Sequence, residues 1–383
     1  MKIGFFSYEF LALNKYYQQL KDKADCWWGV ADKDLYNTLK SNNIDKIVYH
    51  SEEYKKNKLI NKTNAEYEKT SSLIPIDNDQ TIKKKIVDQI DPDIWVTDSS
   101  NKINTIVKTK PLVQTFHALP IKKHVFHKPI LDYDLILLPG PYHKEKFIKK
   151  FNLNKNDCRF KVVGWPRSDD LLNKKYNRER ILKKLGLDIN KKTLLYAPTW
   201  GWGYGNTSLF ARWFDRECEI FEKLCQTASN NNLNFIAKIH CYSFASGNQK
   251  LIEIAKKYNV LWPMNSVSNC QPDPNEYLWI TDILISDLSG IISEFMVLDR
   301  PIIYIDPDEN IEPWSNSDMP KNFRAGYIIK KPEELFEAIK DSTLYPKRHT
   351  AERKEFCSKV FFNLDGKAST RAANEILNFA QNR

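Results

Sequence analysis

Two histidines stand where an apolar run ends. In Pro111-Leu-Val-Gln-Thr-Phe-His117-Ala-Leu-Pro120-Ile-Lys-Lys123 a predicted strand delivers His117 to its carboxyl tip, and Pro120 blocks simple continuation. An imidazole there can take a proton near neutral pH, as activation of a hydroxyl nucleophile requires, or can serve as an ordinary hydrogen-bonded loop residue. In Asn234-Phe-Ile-Ala-Lys238-Ile-His240-Cys241 a second strand ends in a lysine and a histidine. That pair can stabilise charge on a phosphate or simply face solvent. His124 and His127 have no acidic companions, and no metal site is read from them.

The richest segment is Thr281-Asp-Ile-Leu-Ile-Ser286-Asp287-Leu-Ser289-Gly290-Ile-Ile-Ser-Glu294. A buried strand runs into a Ser-Asp-x-Ser-Gly turn, and Ile291, Phe295 and Leu298 mark the inner stripe of a following helix. Small residues let a phosphate approach the backbone, the hydroxyls of Ser286 and Ser289 add donors, and the helix start adds partial positive charge. Glu294, one turn in, is placed to accept hydrogen bonds from ribose hydroxyls. A plain N-capped helix accounts for one Ser or Asp but not for the whole cluster. Two further stretches suit the same site: Val162-Val-Gly164-Trp-Pro-Arg167-Ser-Asp-Asp170, with an arginine able to hold a phosphate, and Tyr196-Ala-Pro198-Thr199-Trp200 at another strand tip. Trp200, Trp202 and Tyr204 form either a base-stacking platform or a packed loop.

The elements that must position these residues alternate along the chain. Predicted strands Ile3–Phe6, Lys46–Tyr49, Ile94–Thr97, Leu112–Phe116 and Leu135–Leu138 are separated by helical patterns. A second series, Thr193–Tyr196, Phe235–Ile239, Ile283–Ser286 and Ile302–Ile305, is separated by helices near Arg212–Asn230, Lys250–Tyr258 and Ile291–Leu298. The rhythm predicts βα units and parallel sheets. At 383 residues the chain exceeds what one core usually serves. The expectation is an α/β protein of two doubly wound, Rossmann-like domains: 1–190, which is basic, and 191–350, which carries the phosphate-binding turn. The helices of 351–383 either cap the second domain or cross back to the first. Open α/β sheets bind ligands beyond the carboxyl ends of their strands, where all the residues above lie.

The net charge is +10, and it is unevenly spread. Up to Asn190 there are 35 basic and 24 acidic residues, +11, and beyond it 23 and 24, −1. The first half therefore faces an anionic partner, or else carries a Lys/Asn-rich coding bias on solvated surfaces. No apolar run reaches the 18 residues of a membrane span, so membrane contact is expected to be peripheral. The start, Met1-Lys2-Ile3-Gly4-Phe5-Phe6, reads as a first strand and not a signal peptide, which places the protein in the cytoplasm. Cysteines 26, 158, 218, 225, 241, 270 and 357 include no C-x-x-C pair, as expected of reduced structural thiols.

In order, Thr115-Phe-His117-Ala-Leu-Pro-Ile-Lys122, Gly164-Trp-Pro-Arg167-Ser-Asp169, Tyr196-Ala-Pro-Thr-Trp200, Lys238-Ile-His240, Ser286-Asp-Leu-Ser289 and Asp365-Gly-Lys-Ala-Ser369 resemble the motifs of the CDP-glycerol glycerophosphotransferase family, the primases and polymerases of teichoic acids and related capsular polymers. The first hundred residues show no such match. The resemblance implies the glycosyltransferase-B (GT-B) arrangement, with two domains facing across a cleft. It implies an acceptor-binding first domain, a nucleotide-binding second domain, and transfer of a polyol phosphate, glycerol phosphate above all, from a CDP-linked donor to a hydroxyl of a lipid-linked or polymeric cell-surface glycan, with release of CMP. His117 matches the catalytic base and His240 the donor-phosphate environment. Arg167, Thr199, Lys238, Ser286, Asp287, Ser289, Gly290 and Glu294 are the expected donor contacts. No cofactor and no metal ligand is implied, with Mg2+ stimulation left open. The expected location is the inner face of the cell membrane, and no nucleic-acid partner is expected.

This chain departs from the family at Ala118-Leu119, where Gly-Thr is usual, at Cys241, where Pro is usual, and at Leu288-Ser289-Gly290, where Tyr-Ser-Ser is usual. The Ser-Gly turn is also similar to that of nucleotide-sugar epimerases and glycosyltransferases of the same fold. A glycosyltransferase that uses a nucleotide sugar is therefore the alternative enzyme. A non-catalytic polyanion binder using the basic half is the alternative of another class, although no nucleic-acid motif is present.

Overall fold

The computed structural model describes residues 1–7, 10–50, 80–98, 107, 109–120, 125–198, 217–238, 249–261, 273–287, 289–306 and 325–382. The first lobe runs β1 (Lys2–Phe6), α1 (Phe10–Leu20), β2 (Asp25–Val30), α2 (Lys33–Ser41), β3 (Ile47–Tyr49), α3 (Gln80–Ile90), β4 (Ile94–Thr97), β5 (Leu112–Gln114), β6 (Leu135–Leu138), α4 (Pro141–Phe151) and β7 (Phe160–Val162). Among the described residues these strands form a parallel sheet in the order β3-β2-β1-β4-β5-β6-β7. Alternate strand residues enter opposite layers. Ile3, Phe5, Trp28 and Val96 pack with Leu13 of α1 and Leu35 of α2, whereas Phe6, Trp95 and Ile136 pack with Ile86 of α3 and Phe147 of α4. Both faces are covered, which is why these strands read as continuous apolar runs.

Beyond the short helices α5 (Asp169–Leu172) and α6 (Arg178–Lys184), the second lobe runs β8 (Thr193–Tyr196), α7 (Glu217–Asn230), β9 (Asn234–Ala237), α8 (Gln249–Lys257), α9 (Pro274–Ile280), β10 (Ile283–Ser286), α10 (Ile291–Met296), β11 (Ile302–Ile305), β12 (Tyr327–Ile329) and α11 (Leu335–Leu344). Its parallel sheet has the order β12-β11-β10-β8-β9. Helices α12 (Thr350–Val360) and α13 (Ala368–Gln381) complete the described chain. The α/β class and the two parallel sheets agree with the sequence reading. Strands β2 and β12 and helix α9 were not anticipated; Asp25-Cys-Trp-Trp-Gly-Val lacks the aliphatic run that marked the other strands.

The chain passes between the lobes at two adjoining places. Val163 lies in the first lobe's core and Trp165 in the second's; on the return, Phe361 lies in the second and Ala372 in the first. Residues Leu171, Ile181 and Leu182, although they precede Asn190, pack into the second lobe, and Arg178 pairs with Asp282 at 2.6 Å. The two crossings interlock. Asp169 accepts the backbone N–H of Ala368 at 3.0 Å and of Ser369 at 2.7 Å, capping α13. Asn173 donates to the carbonyl of Gly366 at 2.8 Å, and Arg371 donates from Nε to that of Val163 at 2.8 Å. Gly164 has φ +93°, and a Cβ there would stand 2.9 Å from that of Ala368, so only glycine suits this crossing. The Gly164–Asp169 and Asp365–Ser369 motifs are thus two halves of one joint, and α13 lies against α1 of the first lobe.

Candidate active site at the lobe interface

The loop that carries His117 is built by a short strand and a left-handed residue. Strand β5 stops at Gln114, two residues before the expected end, because Phe116 takes φ +64°. That conformation is unfavourable for an aromatic residue, and it is held by the side chain of Gln114, whose Oε1 accepts the N–H of Phe116 at 2.9 Å. Thr115 remains tied to β4, donating from its backbone to Thr97 O at 2.9 Å and from its hydroxyl to the same oxygen at 3.2 Å. Phe116 is buried in the first lobe, Leu119 is buried in the second lobe's core, and His117 between them is exposed. Leu119, where the family usually has threonine, spends its apolar side chain on the lobe interface. Beneath the loop the hydroxyl of Tyr16 donates to Thr115 O at 3.5 Å, and burial raises its pKa far above the ordinary phenol value.

Arg167 joins this loop to the second lobe. It follows β7 in a single 3-10 turn, Pro166–Ser168, opened by Pro166, and its own carbonyl accepts Nδ2 of Asn275 at the start of α9, at 2.7 Å. Its guanidinium donates from Nη1 to the carbonyl of His117 at 3.1 Å and from Nη2 to Oε2 of Glu294 at 3.4 Å. The other oxygen of Glu294 accepts Nε1–H of Trp165 at 3.1 Å. Glu294 is 4% exposed and Trp165 2%, so the carboxylate is a buried charge met on one oxygen by a cation and on the other by an indole. Three sequence candidates, His117, Arg167 and Glu294, therefore come together across the lobes. Trp165 and Asn275 were missed as participants. The tryptophan was visible inside its motif, but nothing in the sequence marks Asn275.

Donor-side candidates gather at the carboxyl ends of β8, β9 and β10, beside the point where the strand order reverses. Ser286 is fully buried and donates from Oγ to Ala197 O at 2.6 Å, so its hydroxyl stitches β10 to β8 and does not face an open turn. Asp287 is buried. Ser289 and Gly290 are half-buried, and a Cβ on Gly290 would meet nothing within 4 Å, which leaves bare backbone under open space. Helix α10 is only six residues long. Lys238 follows β9, with its backbone N–H on Tyr196 O at 2.9 Å. Thr199, His240, Trp200, Trp202 and Tyr204 lie outside the described residues. Among the described residues no group of three His, Cys, Asp or Glu side chains is arranged to hold a metal ion.

Residues 4–378 match the family model of CDP-glycerol:poly(glycerophosphate) glycerophosphotransferase. The chain belongs to this family. It is 27% identical over 312 residues to the teichoic acid poly(glycerol phosphate) polymerase of Bacillus spizizenii, covering 74% of each chain. It is 25% identical over 299 residues to the teichoic acid glycerol-phosphate transferase of Staphylococcus aureus, covering 69% of this chain and 70% of that one. Of the Bacillus subtilis poly(glycerol phosphate) polymerase it covers 37%, at 24% identity. The fold is that of the wall teichoic acid polymerase TagF, with a TM-score of 0.67 at 19% identity over 100% of this chain and 89% of that one. It is also that of S. aureus MnaA solved with UDP, with a TM-score of 0.61 at 15% identity over 99% and 97%. A family member with this fold is a transferase enzyme, and residues 4–100, which carry none of the motifs above, fall within the family match.

Proposed function

We propose that the cleft between the lobes transfers glycerol phosphate from CDP-glycerol to a hydroxyl of a polymeric teichoic-acid-type acceptor, with His117 as general base. The acceptor O–H gives its proton to the imidazole, its oxygen attacks the distal phosphorus of the donor, and the bond from that phosphorus to the bridging oxygen breaks as CMP leaves with the electron pair. His117 stands exposed in a loop between the buried Phe116 and Leu119, and Arg167 connects its carbonyl to Glu294 of the donor-side helix. This connection is the observation that carries the reading, because it brings a strand-tip base of one lobe to the strand-tip turn of the other. The open backbone of Ser289–Gly290, with Lys238 and Asp287, is the donor-phosphate side. Ser286 supports it by fixing the strand tips. Positioning and charge stabilisation supply most of the rate in phosphoryl transfer, so the step needs no covalent intermediate on the enzyme.

The +11 charge up to Asn190 suits an acceptor rich in phosphate, lipid-linked at the inner face of the membrane, where the enzyme would sit peripherally. The direct test is product analysis with CDP-glycerol and a teichoic acid primer. CMP is the expected nucleotide, and His117→Ala lowers its release by about a hundredfold or more, the usual scale for a general base. Release of CDP or UDP from a nucleotide sugar would instead establish sugar transfer, and near-normal turnover by the alanine variant would remove His117 from the mechanism.

A further inference from the structure

We propose that Trp165 and Glu294 are positioning residues. Together they hold Arg167 on the carbonyl of His117, so that a carboxylate of the donor lobe sets the geometry of the base loop in the acceptor lobe. The inference rests on the reading of His117 as base, and it changes the role expected of Glu294 from ribose ligand to anchor of the lobe joint.

The reasoning follows the carboxylate. Oε1 accepts from the Trp165 indole and Oε2 from Arg167, and the residue is buried. Each oxygen can accept more than one hydrogen bond, but Glu294 is 4% exposed, so a ribose diol would reach it only by displacing the groups packed around it. Losing the indole would leave a buried N–H without an acceptor, and losing Arg167 would leave a buried carboxylate without its cation. Arg167 is itself confined: its carbonyl is held by Asn275, its Nη2 by Glu294, and its Nη1 points at His117 O. Among the described residues His117 is otherwise anchored through its neighbours, Phe116 at φ +64° in one lobe and Leu119 in the core of the other. A relative shift of the lobes would therefore pull the loop from both ends, and a second tie to the donor side beside Leu119 would fix His117 itself. The chain Trp165–Glu294–Arg167–His117 is such a tie, and it spans 129 residues of sequence between its tryptophan and its carboxylate.

Glu294→Gln keeps size and the acceptor for Trp165 but removes the charge that holds Arg167; Trp165→Phe removes the N–H together with part of a buried ring, so its effect is read beside its stability loss. The expected result is a fall in kcat of about ten- to a hundredfold for Glu294→Gln and a smaller fall for Trp165→Phe, the scale on which a misplaced catalytic group loses rate. The affinity for CMP, measured by calorimetry, stays within about twofold of the parent, as expected when no ligand contact is lost. The double variant Arg167→Gln/Glu294→Gln is no slower than Arg167→Gln alone, because the two residues act as one unit. Hydrogen exchange of peptides spanning 115–119 speeds up in both single variants, and this readout holds whatever the substrate. Weakened CMP binding with kcat unchanged would make Glu294 a ribose ligand and overturn the proposal. So would additive losses in the double variant, or unchanged exchange at 115–119. Absence of CMP release by the parent enzyme, with loop exchange responding as described, would overturn the reading of the reaction and leave the joint standing.

Discussion

Replacing Asp169 by alanine should detach helix α13 from the first lobe. The aspartate is 3% exposed, and its two oxygens accept the N–H groups of Ala368 and Ser369 at 3.0 and 2.7 Å. A buried N–H left without a partner costs about 1–3 kcal/mol. Loss of a negative charge at a helix start adds about 0.3–1 kcal/mol. Deleting the side chain also relieves the desolvation of a buried carboxylate, which offsets part of the sum, so about 2–4 kcal/mol is expected. An asparagine should cost less, since its Oδ1 still accepts one N–H, but its amide would point a donor at the other. Asn177, which caps α6 by accepting Arg180 N–H at 2.8 Å in an exposed setting, is the control, and Asn177→Ala should cost about 1 kcal/mol or less. Native-state hydrogen exchange over residues 368–381 reads the local opening directly. A 2–4 kcal/mol loss is a rise in opening of roughly thirtyfold to a thousandfold, at about 1.4 kcal/mol per decade. If Asp169→Ala and Asn177→Ala changed exchange equally, water would be satisfying the α13 amides, and the interlock of the two motifs would not be what joins the lobes.

Gln114→Leu removes the acceptor that holds Phe116 in its left-handed conformation, but it also removes a buried Nε2 that has no hydrogen-bond partner among the described residues. The two effects oppose in stability, so unfolding should move by about 1 kcal/mol or less while CMP release falls about tenfold; full activity would show that Phe116 keeps its backbone without the amide. At Asp299 burial works to raise the pKa, yet hydrogen bonds from Lys347, Arg353 and Thr350 outweigh it and hold the carboxyl below its ordinary 3.8. A depressed folded pKa contributes stability that is present above the unfolded value and lost as pH falls through the folded one. Acid titration of unfolding should therefore show a loss below about pH 4 that is shallower in Asp299→Asn, and an identical slope in the two proteins would refute that assignment.

Much of this arrangement is legible in the residues alone. Aliphatic runs marked strands such as Ile94–Thr97, Leu135–Leu138 and Ile283–Ser286 with their observed bounds, because strands covered on both faces have no other use for uninterrupted Val, Ile and Leu. The motif residues His117, Arg167 and Glu294 were likewise visible, since each breaks an apolar pattern at a strand or helix end. What those side chains touch was not visible. A hydroxyl after a strand reads as a free donor until the neighbouring strand offers a carbonyl, as Ala197 does to Ser286. Nor does the spacing of a glutamate one turn into a helix show that an indole 129 residues away donates to it. Spacing along the chain determines which elements form, because periodicity and capping act within a few residues. Partners across the lobes are decided by how two sheets and their crossings pack, and contacts such as Asp169 with Ser369, separated by 200 residues, exist only once that packing is complete.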